Sequence, residues 1–354
     1  MLRVDVSTPP DRLILDEAAP YLTGPSRAVV IDDVDGALTL GAAAAGVQDI
    51  RVHQDLVTGE RSLDKHAAAA DYARLPLGPE LLACADVVLL RLPRSLDRLA
   101  EVAAVIAAHA SPQVSVVTGG RIKHMTPTMN DVLRTVFDRV DVSHARQKSR
   151  VLIATGPRPA DARRELAQWP RTERHDDLGL TVAAHGGVFA GTRIDIGTRF
   201  LVSQLDRFTH HGRVVDLACG NGTIGTWLAM RDRQLRVTAT DRSATAVASA
   251  SATARLNGVS DRITVTQANG LELQDNSSEA RIVLNPPFHN DAAVSTDIAR
   301  DLFTDAGRVL APDGELWCVW NSHLRYRPLL ERTVGPTRQI ARNTKFTVTV
   351  SVRR

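Results

Sequence analysis

Residues 214–225 read Val214-Val215-Asp216-Leu217-Ala218-Cys219-Gly220-Asn221-Gly222-Thr223-Ile224-Gly225, and this stretch decides the fold. The apolar run at 213–219 has the length of a buried strand, a glycine turn follows, and 223–231 can be a helix. Glycines at 220 and 222 tolerate positive φ and let the backbone approach a nucleotide-like ligand. The G-x-G-x-x-G spacing is weak alone, because a tight βα turn that binds nothing looks the same. Two carboxylates strengthen it. Asp216 precedes the glycines, where it can hold a ligand's amino group. Asp241 ends the next strand, 16 residues past Gly225, where a carboxylate can accept hydrogen bonds from both ribose hydroxyls. The plainer reading of Asp241 is an N-cap for the helix that follows.

Outward from this turn, strands alternate with helices, the pattern of a parallel α/β sheet. The sequence predicts strands at 236–240, 263–266, 281–284, 315–321 and 346–352. Helices are expected at 243–256 and 295–310, closed by Asn257-Gly258 and Pro312-Asp313-Gly314. The N-terminal half repeats the start of this plan. A strand at 28–32 enters Asp33-Val34-Asp35-Gly36 and an Ala-rich helix, and further strands are expected at 49–53, 86–90 and 114–118. At an offset of 184 residues, Asp32 matches Asp216, Gly36 matches Gly220, Thr39 matches Thr223 and Gly41 matches Gly225. Farther on, Leu90-Arg91-Leu92-Pro93 falls where Leu284-Asn285-Pro286-Pro287 falls. With Leu38 in place of Gly222 and Arg91 in place of Asn285, the first copy lacks what would carry chemistry. A linker is expected between 155 and 178, where Gly156-Pro157-Arg158-Pro159 and Pro170-Arg171-Thr172 break the pattern. The domains are then 1–160 and 175–354.

Composition bounds the function. With 354 residues, 44% hydrophobic and 23% charged, the chain can bury two cores. No stretch reaches the roughly 18 apolar residues of a membrane helix, and Met1-Leu2-Arg3-Val4-Asp5 is no signal peptide, so a cytoplasmic protein without membrane contact is expected. Cys84, Cys219 and Cys318 are too scattered for a disulfide framework, and no metal is expected. Cys219 reads as a small buried residue rather than a nucleophile. The net charge is +3, and residues 1–174 hold 22 basic and 22 acidic residues, so the excess lies in the remainder. Within the neutral part, Arg121, Lys123, His124, Arg134, Arg139, Arg146, Lys148 and Arg150 form a basic run. It is either a solvated face or a contact for RNA phosphates.

A dinucleotide and S-adenosyl-L-methionine both fit the glycine turn. Asp216 favours the second, whose amino-acid end is cationic, whereas a pyrophosphate would want only the helix N-terminus. Asn285-Pro286-Pro287-Phe288-His289, after the fourth strand, is more specific. Adjacent prolines fix a loop that cannot continue the sheet. Such a loop can aim the Asn285 side-chain oxygen and the Pro286 carbonyl at one planar NH2, leaving its nitrogen free to attack a methyl sulfonium, while Phe288 stacks on the ring.

Asp216 with Gly220-Asn221-Gly222 and Asn285-Pro286-Pro287-Phe288 resembles the class I methyltransferases that modify exocyclic amino or amide nitrogens. With His289, the duplicated first half, and Gly186-Gly187-Val188-Phe189 before Ile194-Asp195-Ile196-Gly197, the chain resembles the bacterial ribosomal RNA guanine-N2 methyltransferases. Asn321-Ser322-His323-Leu324 and Asn343-Thr344-Lys345-Phe346 lean to the large-subunit type. The resemblance implies two tandem class I methyltransferase-like (Rossmann-like) α/β domains, the first degenerate and turned to RNA recognition. It implies S-adenosyl-L-methionine as cofactor, with Asp216, Gly220 and Gly222 around its methionine part and Asp241 at the ribose. Ala268 and Asn269 would lie near the adenine edge, although neither position after Asn269 is acidic. Val188 and Phe189 would lid the cofactor, and Asn285, Pro286 and Phe288 would hold the guanine. The expected partner is an opened or single-stranded segment of 23S ribosomal RNA, bound by a monomer. Competing readings are an N6-adenine or protein-glutamine amide methyltransferase, and a non-catalytic RNA-binding assembly factor. A nicotinamide dehydrogenase leaves the Asn-Pro-Pro-Phe loop unexplained.

Overall fold

The apolar runs of both halves become strands buried on two faces. The computed structural model describes residues 8–205, 212–287 and 292–354, and the chain divides into two compact units between Trp169 and Pro170. The first unit contains β1 (Arg27–Ile31), β2 (Asp49–His53), β3 (Ala73–Arg74), β4 (Val87–Arg91), β5 (Ser115–Arg121), β6 (Phe137–Val142) and β7 (Ser149–Pro157). They form one sheet in the order β3-β2-β1-β4-β5-β7-β6. β1 to β5 are parallel, and β7 and β6 add to the edge antiparallel.

The second unit opens with a hairpin of β8 (Arg171–His175) and β9 (Leu180–Ala184). Its main strands are β10 (Arg213–Leu217), β11 (Arg236–Asp241), β12 (Ile263–Gln267), β13 (Glu279–Leu284), β14 (Leu310–Asn321), β15 (Thr337–Arg342) and β16 (Phe346–Val352). Their order, β12-β11-β10-β13-β14-β16-β15, repeats that of the first unit. Strand side chains alternate between two core layers. Val215 and Leu217 of β10 pack with Phe303 and Ala306 on one face, while Val214 packs with Ile224 and Trp227 on the other. Among the described residues, no helix is long and apolar enough to cross a membrane.

The two copies match at an offset of 186 residues, Arg27 to Arg213, rather than 184. The helices Ala37–Ala44 and Thr223–Arg231 both start from a left-handed glycine, Gly36 at φ 76° and Gly222 at φ 75°. Asp32 and Ala218 are likewise both left-handed, at φ 60° and 55°. Gly36 is therefore the counterpart of Gly222, not of Gly220, whose place is taken by Val34. The other residue pairs aligned at 184 shift with it: Val30 stands opposite Asp216, Asp32 opposite Ala218, Thr39 opposite Gly225 and Leu38 opposite Ile224. The shared Asp and Gly letters coincide at 184, but the positions in the turn that require positive φ coincide at 186. In the first copy another carboxylate serves the turn: Asp33 Oδ2 accepts from the N–H and hydroxyl of Thr39 at 2.8 and 2.9 Å. Farther along, Ile31 pairs with Leu90 and Leu217 with Leu284, so Arg91 does occupy the position of Asn285.

The stretch 155–178, expected to be a linker, is largely regular. β7 runs to Pro157, a helix occupies Pro159–Leu166, and β8 starts at Arg171. Its prolines punctuate elements instead of dissolving them: Pro159 opens a helix at a position where no N–H is needed.

Candidate functional site

β10 pairs with β11 on one side and β13 on the other, so the strand order reverses here. At such a point the loops leaving the carboxyl ends diverge and open a crevice. Because Leu217 pairs with Leu284, the glycine turn and the Asn285-Pro286-Pro287 loop leave the sheet side by side.

Asp216 shares a face of β10 with Val214 and is only 1% exposed. Its Oδ2 accepts from the Gly225 N–H at 2.7 Å. Gly225 permits this approach, since a Cβ there would lie 3.0 Å from the same oxygen. Burial, and secondarily the neighbouring charge of Asp241, push the Asp216 pKa from 3.8 to about 7, against the pull of the Gly225 bond. A cationic ligand group at the turn would offset this electrostatic cost.

Asp241 is not a helix cap. Ser243 caps the following helix, Ala244–Leu256, by accepting from the Ala246 N–H at 3.1 Å. The Asp241 carboxylate instead accepts from the Gly220 N–H at 3.0 Å and the Ser243 N–H at 3.0 Å, which ties the end of β11 to the glycine turn. The two glycines differ in task. Around Gly220, left-handed at φ 55°, an added Cβ would meet nothing within 4 Å. At Gly222 it would lie 2.8 Å from Ala250 Cα. One leaves space open, and the other lets a helix approach.

Asn221, given no separate role by the sequence motif, joins a second segment to the turn. Its Nδ2 donates to the Gly191 carbonyl at 3.0 Å, and its Oδ1 accepts from the Thr223 hydroxyl at 2.7 Å. This bond brings the loop holding Val188 and Phe189 to the glycines. Val188 is buried against Ala184 and Ala246, and Phe189 is 48% exposed. Ala268 is buried, its N–H donating to the Asp241 carbonyl at 2.9 Å. Asn269 is exposed, and its N–H donates at 2.9 Å to Glu272, an acid three residues on. Cys219 is buried, and burial together with the charges of Asp241 and Asp216 pushes its thiol pKa up, which disfavours a nucleophilic thiolate.

Asn285 is half-buried. Its Nδ2 donates to Thr198 Oγ1 at 2.9 Å and Asp195 Oδ2 at 3.3 Å. Its Oδ1 is buried and has no hydrogen-bond partner among the described residues. Pro286 beside it is buried. Phe288 and His289 lie outside the described residues. Asp195 stands in the Ile194-Asp195-Ile196-Gly197 segment that carries the family resemblance, but no local pattern encodes its contact, or that of Thr198, with Asn285.

Two family models cover most of the chain: an RLMG N-terminal domain over residues 9–158 and a methyltransferase small domain over 179–350. A ribosomal RNA large subunit methyltransferase G of Streptomyces coelicolor is 37% identical over 273 residues, 76% of this chain and 72% of its own length. The protein of the same name from Streptomyces avermitilis is 32% identical over 343 residues, covering 92% of this chain and 87% of the relative. The chain belongs to the ribosomal RNA large subunit methyltransferase G family. As a member it is an S-adenosylmethionine-dependent methyltransferase. A T. thermophilus 16S rRNA N2 G1207 methyltransferase, solved with AdoMet and guanosine, shares the fold at TM-score 0.77 and 19% identity, over 97% of this chain and 92% of that one. In this family member the turn after β10 and the loop after β13 form the candidate site.

Proposed function

We propose that this methyltransferase methylates the exocyclic N2 amine of a guanine in 23S ribosomal RNA, acting as a cytoplasmic monomer on an opened or single-stranded segment. The observation that carries the reading is the buried, unpartnered Asn285 Oδ1 beside the glycine turn. A buried carbonyl oxygen without a donor costs roughly 1–3 kcal/mol, which an incoming NH2 removes. Support for guanine comes from the guanosine-bound T. thermophilus protein, and support for the large subunit from the names of the relatives.

Bound S-adenosylmethionine supplies an electrophilic sulfonium methyl group. Gly220 would leave room for its methionine part, Asp216 would offset the ammonium charge, Asp241 would accept from the ribose hydroxyls, and Ala268 and Asn269 would border the adenine. Val188 and Phe189 cover it from the loop held by Asn221. Asn285 Oδ1 and the Pro286 carbonyl would accept the two amine hydrogens and leave the nitrogen lone pair free to attack. Catalysis would then rest on alignment, and the proton of the methylated nitrogen, then strongly acidic, would pass to solvent. In the first unit, which serves RNA recognition, Arg121, Lys123, Lys148 and Arg150 contact phosphates.

The test is methylation of unmodified large-subunit rRNA followed by nucleoside digestion. N2-methylguanosine is expected, and N6-methyladenosine would reject the reading. Asn285→Ala should lower turnover by about 10³-fold or more while cofactor affinity stays within about threefold; unchanged turnover would reject the role of Asn285.

A further inference from the structure

We infer that Asp195 and Thr198 orient the Asn285 side chain so that it presents an acceptor, not a donor, to the substrate amine; this rests on the role proposed for Asn285 above. The oxygen and nitrogen of a carboxamide are nearly equal in shape, so packing alone cannot choose between its two half-turn orientations. Hydrogen bonding must choose. The Asp195 carboxylate has no proton to give, so the face of Asn285 turned toward it must be the NH2. That face meets Asp195 Oδ2 at 3.3 Å and Thr198 Oγ1 at 2.9 Å, and Oδ1 is left buried without a partner.

Asp195 is itself held. Its Oδ2 accepts from the N–H groups of Gly197 at 2.8 Å and Thr198 at 3.2 Å, which opens the helix Ile196–Val202. Gly197 permits this geometry: a Cβ there would lie 2.9 Å from Asp195 Oδ2 and 3.0 Å from Phe346 Cε1 at the start of β16. The orienting carboxylate is therefore anchored through a helix start to the sheet, where it cannot follow the amide if the amide turns.

The first unit contains the same contact with its chemistry removed. The helix Pro9–Ala18 packs on β5 and β7 as Ile196–Val202 packs on β14 and β16. Its fully buried Asp11 forms an ion pair with Arg91, the counterpart of Asn285, with Nε to Oδ1 at 2.8 Å. Arg91 Nη2 donates to Asp11 Oδ2 at 2.8 Å and Asp35 Oδ2 at 3.2 Å. A guanidinium carries only donors. Both units thus join a carboxylate near this helix start to the residue after the fourth strand, but only the second leaves an acceptor over.

Thr198→Val removes one acceptor at nearly constant shape and leaves the helix cap in place. It should lower kcat about tenfold on large-subunit rRNA, with KM for RNA and cofactor within about threefold, and Thr198→Ser should restore kcat. Asn285→Asp sets two carboxylates face to face and should cost about a hundredfold in kcat. Adding Asp195→Asn, which keeps a capping oxygen and supplies a donor, should recover about tenfold of that loss. Unchanged kcat in Thr198→Val, or a double variant no better than Asn285→Asp alone, overturns the inference. So does a loss in Thr198→Val that tracks its thermal midpoint and is not rescued by Thr198→Ser. Asn285→Ala separates the two levels: an active Asn285→Ala rejects the role of Asn285 itself, whereas an inactive one with normal Thr198→Val rejects only its orientation by Asp195 and Thr198.

Discussion

Asp216, proposed above to meet the ammonium of the cofactor, burdens the fold that carries it. The folded state raises its pKa from 3.8 to about 7, chiefly by burial. Between about pH 4 and 7 the folded state therefore holds a proton that the unfolded chain releases, so stability falls as pH rises through this window and levels off above it. The cost at high pH is of the order of a few kcal/mol. Asp216→Asn keeps an acceptor for the Gly225 N–H and removes the charge. Calorimetry of the ligand-free protein should show a thermal midpoint several degrees higher at pH 5.5 than at pH 8, and Asp216→Asn should flatten that difference. Equal pH dependence in both proteins would contradict the buried-charge account. Asp216→Asn should also weaken S-adenosylmethionine binding, because the ammonium loses its counter-charge.

At the scale of elements, the glycine turn separates stability from binding. Gly222→Ala adds a Cβ that collides with the Ala250 backbone in a left-handed residue, and should cost about 2–4 kcal/mol of stability. Gly220→Ala meets no protein atom, so only the left-handed conformation is penalised, by about 1 kcal/mol. Under the proposed cofactor placement its methyl group enters the cofactor's space, and cofactor affinity should fall about tenfold or more. Thermal melts and calorimetric titration of both variants check the contrast, and equal melting losses would refute it. These turn elements were legible because buried strands are continuous apolar runs between breakers. The helix Thr223–Arg231 and strands β2 and β16 fall at the residues expected from the sequence. β6 and β8 escaped because their residues are largely charged and exposed. Of the candidate site, the left-handed glycine turn and the place of Asn285 beside it were legible. The site was illegible where bonds join distant segments, as Asn221 does to Gly191 and Asn285 to Asp195, since no local pattern encodes such a contact.

For the whole molecule, duplication of one sheet plan lets a single fold supply two different surfaces. In the second unit the loop after the fourth strand begins with an amide whose oxygen has no partner among the described residues; in the first, Arg91 and Asp11 close the corresponding position with an ion pair. The near-neutral first unit also sorts its basic run. Arg134, Arg139 and Arg146 pair with Asp131, Asp141 and Asp16. Arg121, Lys123, Lys148 and Arg150 are exposed, with no ion pair among the described residues. β5 and β7 gather them: Gly120 pairs with Arg150, Arg121 with Ser149, and the Ile122 N–H donates to the Lys148 carbonyl at 3.0 Å. Four unneutralised cations at one end of a ladder suit the phosphates of an RNA strand, whatever the net charge of the unit. Changing all four to Gln should weaken rRNA binding and reduce the slope of log affinity against log salt by up to about 0.7 for each single-strand phosphate no longer neutralised. Cofactor affinity should not change, because the glycine turn and its carboxylates belong to the second unit. Anisotropy titrations across a salt series measure the slope, and a variant with the wild-type slope would remove this patch from the RNA-binding surface.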